Sequence, residues 1–146
     1  MQRPQRGLIV RQPYAGWIVD GEKTWEIRKH PTRRRGPIGI ISNGQLIGQV
    51  DLVGVEGPFT AKELQAHEEK HRASNFLADY AQGKPLWAWV LENPRRYPKP
   101  IPIPPRKGRV IWVDLTEVAW PDKNRNGDRR QPAFRNNRKD RLEKPD

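Results

Sequence analysis

Three charged side chains follow a tight-turn signal. In the run Gly21-Glu22-Lys23-Thr24-Trp25-Glu26-Ile27-Arg28, a lysine, a carboxylate and a guanidinium fall within six residues. Such a set is either an ion network or a proton-transfer site. A partly desolvated lysine has a lowered pKa and works as a base, whereas a neighbouring carboxylate such as Glu26 raises it. The two effects oppose each other, so the residues leave open whether Lys23, Glu26 and Arg28 do chemistry, hold a ligand by hydrogen bonds, or only fix the turn.

A second constellation is His67-Glu68-Glu69-Lys70-His71. It matches H-E-x-x-H, which on a helix sets two imidazoles on one face for zinc with Glu68 as base. Zinc-protease helices are largely apolar around the motif, whereas Glu69 and Lys70 are charged. A third ligand would also have to come from a distant carboxylate such as Glu92. No metal or other cofactor is therefore assigned, and His67 and His71 are read as lining a ligand site or contacting phosphate. The alternative for them is a solvated or capped helix face.

Cations dominate the remaining polar residues. Lys plus Arg number 28 against 17 Asp plus Glu, a net charge of +11, which favours a polyanionic partner through counterion release and long-range attraction. Arg33, Arg34 and Arg35 form one cluster, close to Arg28; Arg95 and Arg96 begin another that continues through Tyr97, Lys99, Arg106, Lys107 and Arg109. These side chains would position phosphates, with Tyr14 or Tyr97 stacking on an unpaired base. Trp25, Trp87, Trp89 and Trp112 are assigned to the core, because a domain with one Met and three Phe needs large side chains to fill it. RNA or a nucleotide is the expected partner, and DNA stays open. No phosphate-cradling glycine loop, dinucleotide fingerprint or nucleophile elbow is present, and neither Ser42 nor Ser74 sits in such a context.

With 146 residues, 34% of them hydrophobic, the chain supports one modest core. Composition changes near Trp120: from Pro121 onward the apolar residues are almost confined to Ala133, Phe134 and Leu142, and nine cations face five anions. Such a segment cannot offset its ordering entropy. Residues 1–118 are thus assigned to one domain and 119–146 to a disordered basic tail. No apolar run approaches the roughly 20 residues of a membrane helix. The polar start and the lack of cysteine fit a cytoplasmic protein with no membrane association.

The elements that must position these residues are short. Leu8 to Val10 reads as a strand, Pro13 to Gly21 as a small helix, and Lys23 to Arg28 as a half-buried strand with Trp25 and Ile27 on one face. Pro37 to Ser42 and Gln45 to Glu56 read as strands joined at the hairpin signal Asn43-Gly44, with Gly48 and Gly54 marking bulges and Gly57-Pro58 ending the second. Thr60 and Glu63 have capping-box spacing for a helix to about His71, and Asn75 to Ala81 reads as another. Leu86 to Glu92 is a strand carrying Trp87, Trp89 and Leu91 on one face. The proline-rich Asn93 to Pro105 must be extended and pair only at an edge; alternatively, its Tyr97 to Pro105 part serves as a polyproline ligand for a protein partner. Val110 to Leu115 is the last strand, with Ile111 and Val113 opposite Trp112. The pattern predicts an α+β fold, small and mainly β, barrel-like, with two or three short helices.

The chain resembles the ASCH domain family. The resemblance rests on the short helix followed by Gly-x-Lys-x-x-Glu-x-Arg, here Gly21, Lys23, Glu26 and Arg28, and extends from Gly7 to about Leu115 through Arg35-Gly36, the His67/His71 helix and Trp89-Val90-Leu91-Glu92. It implies a PUA-like barrel with a cleft suited to RNA or a modified nucleotide. It also implies an alternative: in family members described as hydrolases the motif lysine is central to catalysis. Lys23 would then be nucleophile or general base and Glu26 a proton shuttle, in a ribonuclease or an amidohydrolase on an acylated nucleoside. At the position of Glu26 the amidohydrolase branch resembles a threonine instead, a departure in this chain.

Overall fold

The computed structural model describes residues 2–105, 110–116 and 118–121. Most of the basic tail, and Arg106, Lys107 and Arg109, lie outside the described residues. The elements are β1 (Arg6–Ile9), α1 (Tyr14–Val19), β2 (Trp25–Arg28), β3 (Gly36–Ser42), β4 (Gln45–Phe59), α2 (Ala61–Leu64), α3 (Glu68–His71), α4 (Ser74–Ala81), β5 (Leu86–Pro102) and β6 (Trp112–Asp114), with a 3-10 turn at Gln65–His67. One mixed sheet has the order β2-β5-β4-β3-β1-β6. β1 runs parallel to β3, and the other pairs are antiparallel.

The fold is mainly β with short helices, as expected, but the barrel is not closed by backbone pairing. β2 and β6 are the two edges of the sheet. The sheet curls until side chains bridge them: Trp89 of β5 stacks on Trp112 of β6 with ring centroids 5.9 Å apart, and Arg28 of β2 donates to the Ile9 carbonyl at the end of β1. Backbone closure would need a continuous ladder, and β2 and β6, at four and three residues, are too short to supply one.

Local signals explain the long hairpins. Asn43 and Gly44 take φ of 53° and 74° between the paired Ser42 and Gln45, the left-handed pair that a two-residue turn requires. The β4–β5 register shifts between Leu46 and Gly48 and between Leu52 and Gly54, at the two glycines expected to mark bulges. Strand β4 does not stop at Gly57-Pro58. A further register shift between Glu56 and Phe59 takes both residues out of the ladder, so proline's missing N–H is not needed. Similarly, β5 continues to Pro102, and its proline-bearing half pairs with β4 while β2 pairs only with Trp87–Val90. The Tyr97–Pro102 stretch is thus part of the sheet, with Tyr97 buried and its hydroxyl donating to Gln49, and not a free polyproline ligand.

Two of three apolar clusters lie on opposite faces of the first half of β5, and the third gathers around Tyr97 and Ile101 of its second half. Trp89 and Leu91 join Leu8, Ile18, Ile40 and Leu52 inside the curl, with Trp87 and Trp112 packed against them. Leu86 and Ala88 face the other way, where Trp25 and Ile27 meet Leu64 of α2 and Leu77 of α4. Ile111, expected to share a face with Val113, is exposed while Val113 is buried, and β6 begins only at Trp112. The Thr60/Glu63 capping box forms as its spacing predicts. The helix it starts does not run unbroken to His71: His67 leaves helical geometry at φ −119°, and the Leu64 carbonyl is bound by the His71 ring.

Candidate nucleotide-binding cleft

The site is built from the turn after α1. Gly21, at φ 84°, is left-handed, and the N–H groups of Glu22 and Lys23 both donate to the Trp17 carbonyl, 2.8 and 3.1 Å away. The reversal directs Lys23 inward. Thr24 is then held from two sides, its N–H on the Lys70 carbonyl and its carbonyl accepting from Leu91. Strand β2 is therefore not half-solvated: Lys23 is only 2% exposed and Glu26 8%.

Buried charges need partners, and here they form a chain. The Lys23 ammonium donates to the His71 carbonyl at 2.5 Å and lies 3.7 Å from Glu26 Oε1. Glu26 Oε2 accepts from Arg28 Nε at 2.9 Å, and Arg28 Nη2 reaches the Ile9 carbonyl at 3.0 Å. Burial pushes the Lys23 pKa below the usual lysine range, against the opposing pull of Glu26. The His71 ring fixes the far end: Ala73 N–H donates to Nδ1 at 3.0 Å, so the ring proton sits on Nε2 and goes to the Leu64 carbonyl at 2.6 Å. Burial lowers the His71 pKa too, which keeps the ring neutral.

Above the chain opens a cleft of about 460 Å³ between the start of α1, strand β2 and α4. Lys23, Glu26 and Arg28 line its floor; Tyr14, Phe76 and Tyr80 supply aromatic walls, and Arg11 and Asp79 add charge. Tyr14 packs against Phe76 at 5.4 Å, and the Lys23 ammonium stands 5.5 Å from the Tyr14 ring. Burial raises the Tyr80 pKa, so this wall presents a neutral phenol. Chemically the cleft offers flat rings for stacking, fixed cations, and a carboxylate acceptor.

The ASCH domain model matches residues 8–101, which include the whole cleft. The chain belongs to the ASCH domain family. Its fold resembles the ASCH protein of Zymomonas mobilis, with a TM-score of 0.64 at 17% identity, covering 80% of this chain and 90% of that one. A single-residue variant of the same protein gives a TM-score of 0.63 at 20% identity, covering 79% and 92%. A comparison with curated proteins finds no match.

Within this ASCH domain, the structure gathers Tyr14, Lys23, Glu26 and Arg28 but sends the other sequence-selected residues elsewhere. His71 is fully buried with both ring nitrogens engaged, and His67 packs on Trp25 and Phe59. Neither lines the cleft. Arg96 forms a two-point ion pair with Asp20 at 2.7 and 2.9 Å, tying the end of α1 to β5, and Arg95 lies over Tyr97. Arg33 is exposed in the loop before β3, while Arg34 and Arg35 line a different depression. Sequence reasoning missed Arg11, Phe76, Asp79 and Tyr80 as cleft residues. The (i, i+3) and (i, i+4) spacing of Phe76, Asp79 and Tyr80 marks one face of α4, but nothing local tells which element that face meets.

Among the described residues no group of His, Cys, Asp and Glu is arranged to hold a metal ion, and no helix is long and apolar enough to cross a membrane.

Proposed function

We propose that the cleft binds an unpaired nucleotide, free and modified or within an RNA chain. The observation carrying this reading is the junction of the Lys23–Glu26–Arg28 chain with the aromatic walls Tyr14, Phe76 and Tyr80. RNA is read through unstacked bases held on aromatic or guanidinium planes and hydrogen-bonded at their edges. The cleft volume falls in the range that encloses small ligands and excludes a duplex. In this reading Glu26 shares its carboxylate with a base N–H, and Arg11 and Arg28 hold ribose or phosphate oxygens. The net charge of +11 supports a polyanionic ligand.

A hydrolytic reading uses the same residues and is favoured by the burial of Lys23, 2% exposed, which lowers its pKa. Lys23 would act as base or nucleophile, Glu26 would shuttle the proton, and Arg28 would stabilise developing negative charge. Binding ranks first, because the His71 carbonyl and Glu26 both favour the charged, non-basic ammonium.

One incubation series separates the two. Wild type, Lys23→Met and Tyr14→Ala are mixed with labelled single-stranded RNA, nucleoside monophosphates and acetylcytidine, and bound, cleaved and deacetylated species are resolved. Retained but intact ligand, weakened roughly tenfold or more by Tyr14→Ala, is the expected result, since base–aromatic stacking is worth about 1–3 kcal/mol. Turnover by wild type that disappears in Lys23→Met would establish the enzyme instead. No binding to any ligand would overturn the proposal.

A further inference from the structure

The cleft occupies one end of β1, where Val10 and Arg11 line it. At the other end, a depression of about 390 Å³ is walled by Arg3, Arg6, Arg34 and Arg35, and among the described residues no acidic side chain lines it. Its backbone is anchored. Gln49, itself held by Tyr97, donates to the Gln2 carbonyl, and Leu115 N–H donates to Gln5.

These arginines differ from those that hold the fold. Arg28, Arg72 and Arg96 are each paired with a carboxylate, whereas Arg6, Arg34 and Arg35 have no ion pair among the described residues. A series of flat groups along the seam between the sheet edges joins the two places. Arg28 lies 5.7 Å from the Trp89 ring, Trp89 stacks on Trp112, and Arg34 stands 4.7 Å from Trp112.

We infer that the depression is a second site, binding backbone phosphates of the single-stranded RNA whose unpaired nucleotide sits in the cleft. The inference rests on the nucleotide reading of the cleft and narrows it from a free nucleotide to a polymer. Arg35 Nη1 donates to the Thr32 and Arg34 carbonyls, which holds the guanidinium in place. Guanidiniums without a carboxylate partner, as in Arg6, Arg34 and Arg35 among the described residues, are suited to phosphate, which they bind through two parallel hydrogen bonds. The length fits as well. Arg6 and Arg11, five residues apart, are separated by at most roughly 16 Å at ~3.3 Å per residue, which about five stacked nucleotide steps at ~3.4 Å each would span.

The test measures binding of the full chain to an eight-nucleotide single-stranded RNA, a nucleoside monophosphate and inorganic phosphate, for wild type, Arg6→Gln/Arg35→Gln and Tyr14→Ala. Both arginines are exposed, so the double variant retains the fold. It is expected to bind the octamer about tenfold more weakly at low salt, with a log–log salt slope shallower by about 1.4, and the monophosphate as wild type does. Unchanged octamer affinity and slope would overturn the second site. An octamer bound no more tightly than a monophosphate, with inorganic phosphate displacing it equally well, would overturn the polymer claim in favour of a free-anion site. Arginine-dependent octamer binding that Tyr14→Ala leaves untouched, without monophosphate binding, would uphold the depression and remove the cleft reading.

Discussion

Lys23 and His71, 48 residues apart in the chain, meet through a single hydrogen bond from the lysine ammonium to the histidine carbonyl. The contact makes His71 an organiser. Its ring joins Leu64 to Ala73, its carbonyl receives Lys23, and through Glu26 and Arg28 the connection reaches the Ile9 carbonyl of β1. The floor of the cleft is thus one polar chain crossing the domain, and its members are positioned by backbone carbonyls at both ends.

Removing the ammonium leaves the His71 carbonyl buried without this donor. Lys23→Met, which keeps most of the volume, is expected to lower stability by about 1–3 kcal/mol in urea denaturation. A midpoint equal to that of wild type would mean that relief from burying the charge balances the lost bond.

His71 imposes a pH dependence on folding. Burial lowers its pKa from the ordinary histidine value of 6.5, so below that pH the unfolded chain takes up a proton that the native ring resists. Stability is fully present above about 6.5 and declines as pH falls toward the native pKa. Denaturation midpoints measured from pH 8 down to 5 should show this slope, and His71→Asn, less stable throughout, should lack it. Glu68 and Asp20, whose pKa values are lowered by hydrogen bonds from Ser74 and Arg96, act in the more acidic carboxylate range.

Gly48 is required by space. A Cβ there would overlap the Arg95 carbonyl oxygen and stand 2.7 Å from a Val19 methyl, and the backbone cannot swing aside as a flexible side chain would. Gly48→Ala is expected to cost about 1–3 kcal/mol. Gly54→Ala, with nothing within 4 Å, serves as the control and should cost little.

The Arg96–Asp20 pair is 47% and 41% exposed at its side chains. Arg96→Ala should therefore lower stability by no more than about 1 kcal/mol and leave the affinity for RNA within twofold. A large loss of affinity would return Arg96 to the ligand site that its sequence context suggested.

Thr60→Ala removes one half of the capping box and should cost about 1 kcal/mol. Thr60→Ser, which keeps the acceptor, should cost markedly less in the same denaturation assay.

Features encoded within a few residues are legible in the amino-acid sequence itself. Asn43-Gly44, the Thr60/Glu63 spacing, the bulge glycines and the Gly21-Lys23-Glu26-Arg28 motif each state their geometry locally, because a turn or cap involves only neighbours. Features decided by long-range packing are not. Lys23 reads as a polar strand residue until α3 covers it, and the H-E-x-x-H run conceals that His71 points into the interior. The arginines show the same limit. Arg96 and Arg6 look alike in sequence, and only the position of Asp20 separates an ion-paired guanidinium from one with no carboxylate partner among the described residues.

Strand β1 has its two neighbours far along the chain: β3 on one side and β6 on the other, the latter roughly a hundred residues later. As the polypeptide leaves the ribosome, β1 can dock against β3 early, yet its second side stays bare until Trp112–Asp114 emerges. A bare strand edge is a template for a neighbouring nascent chain. Arg6 and Arg11 flank this edge on the same short stretch, and like charges there oppose edge-to-edge pairing with a second copy.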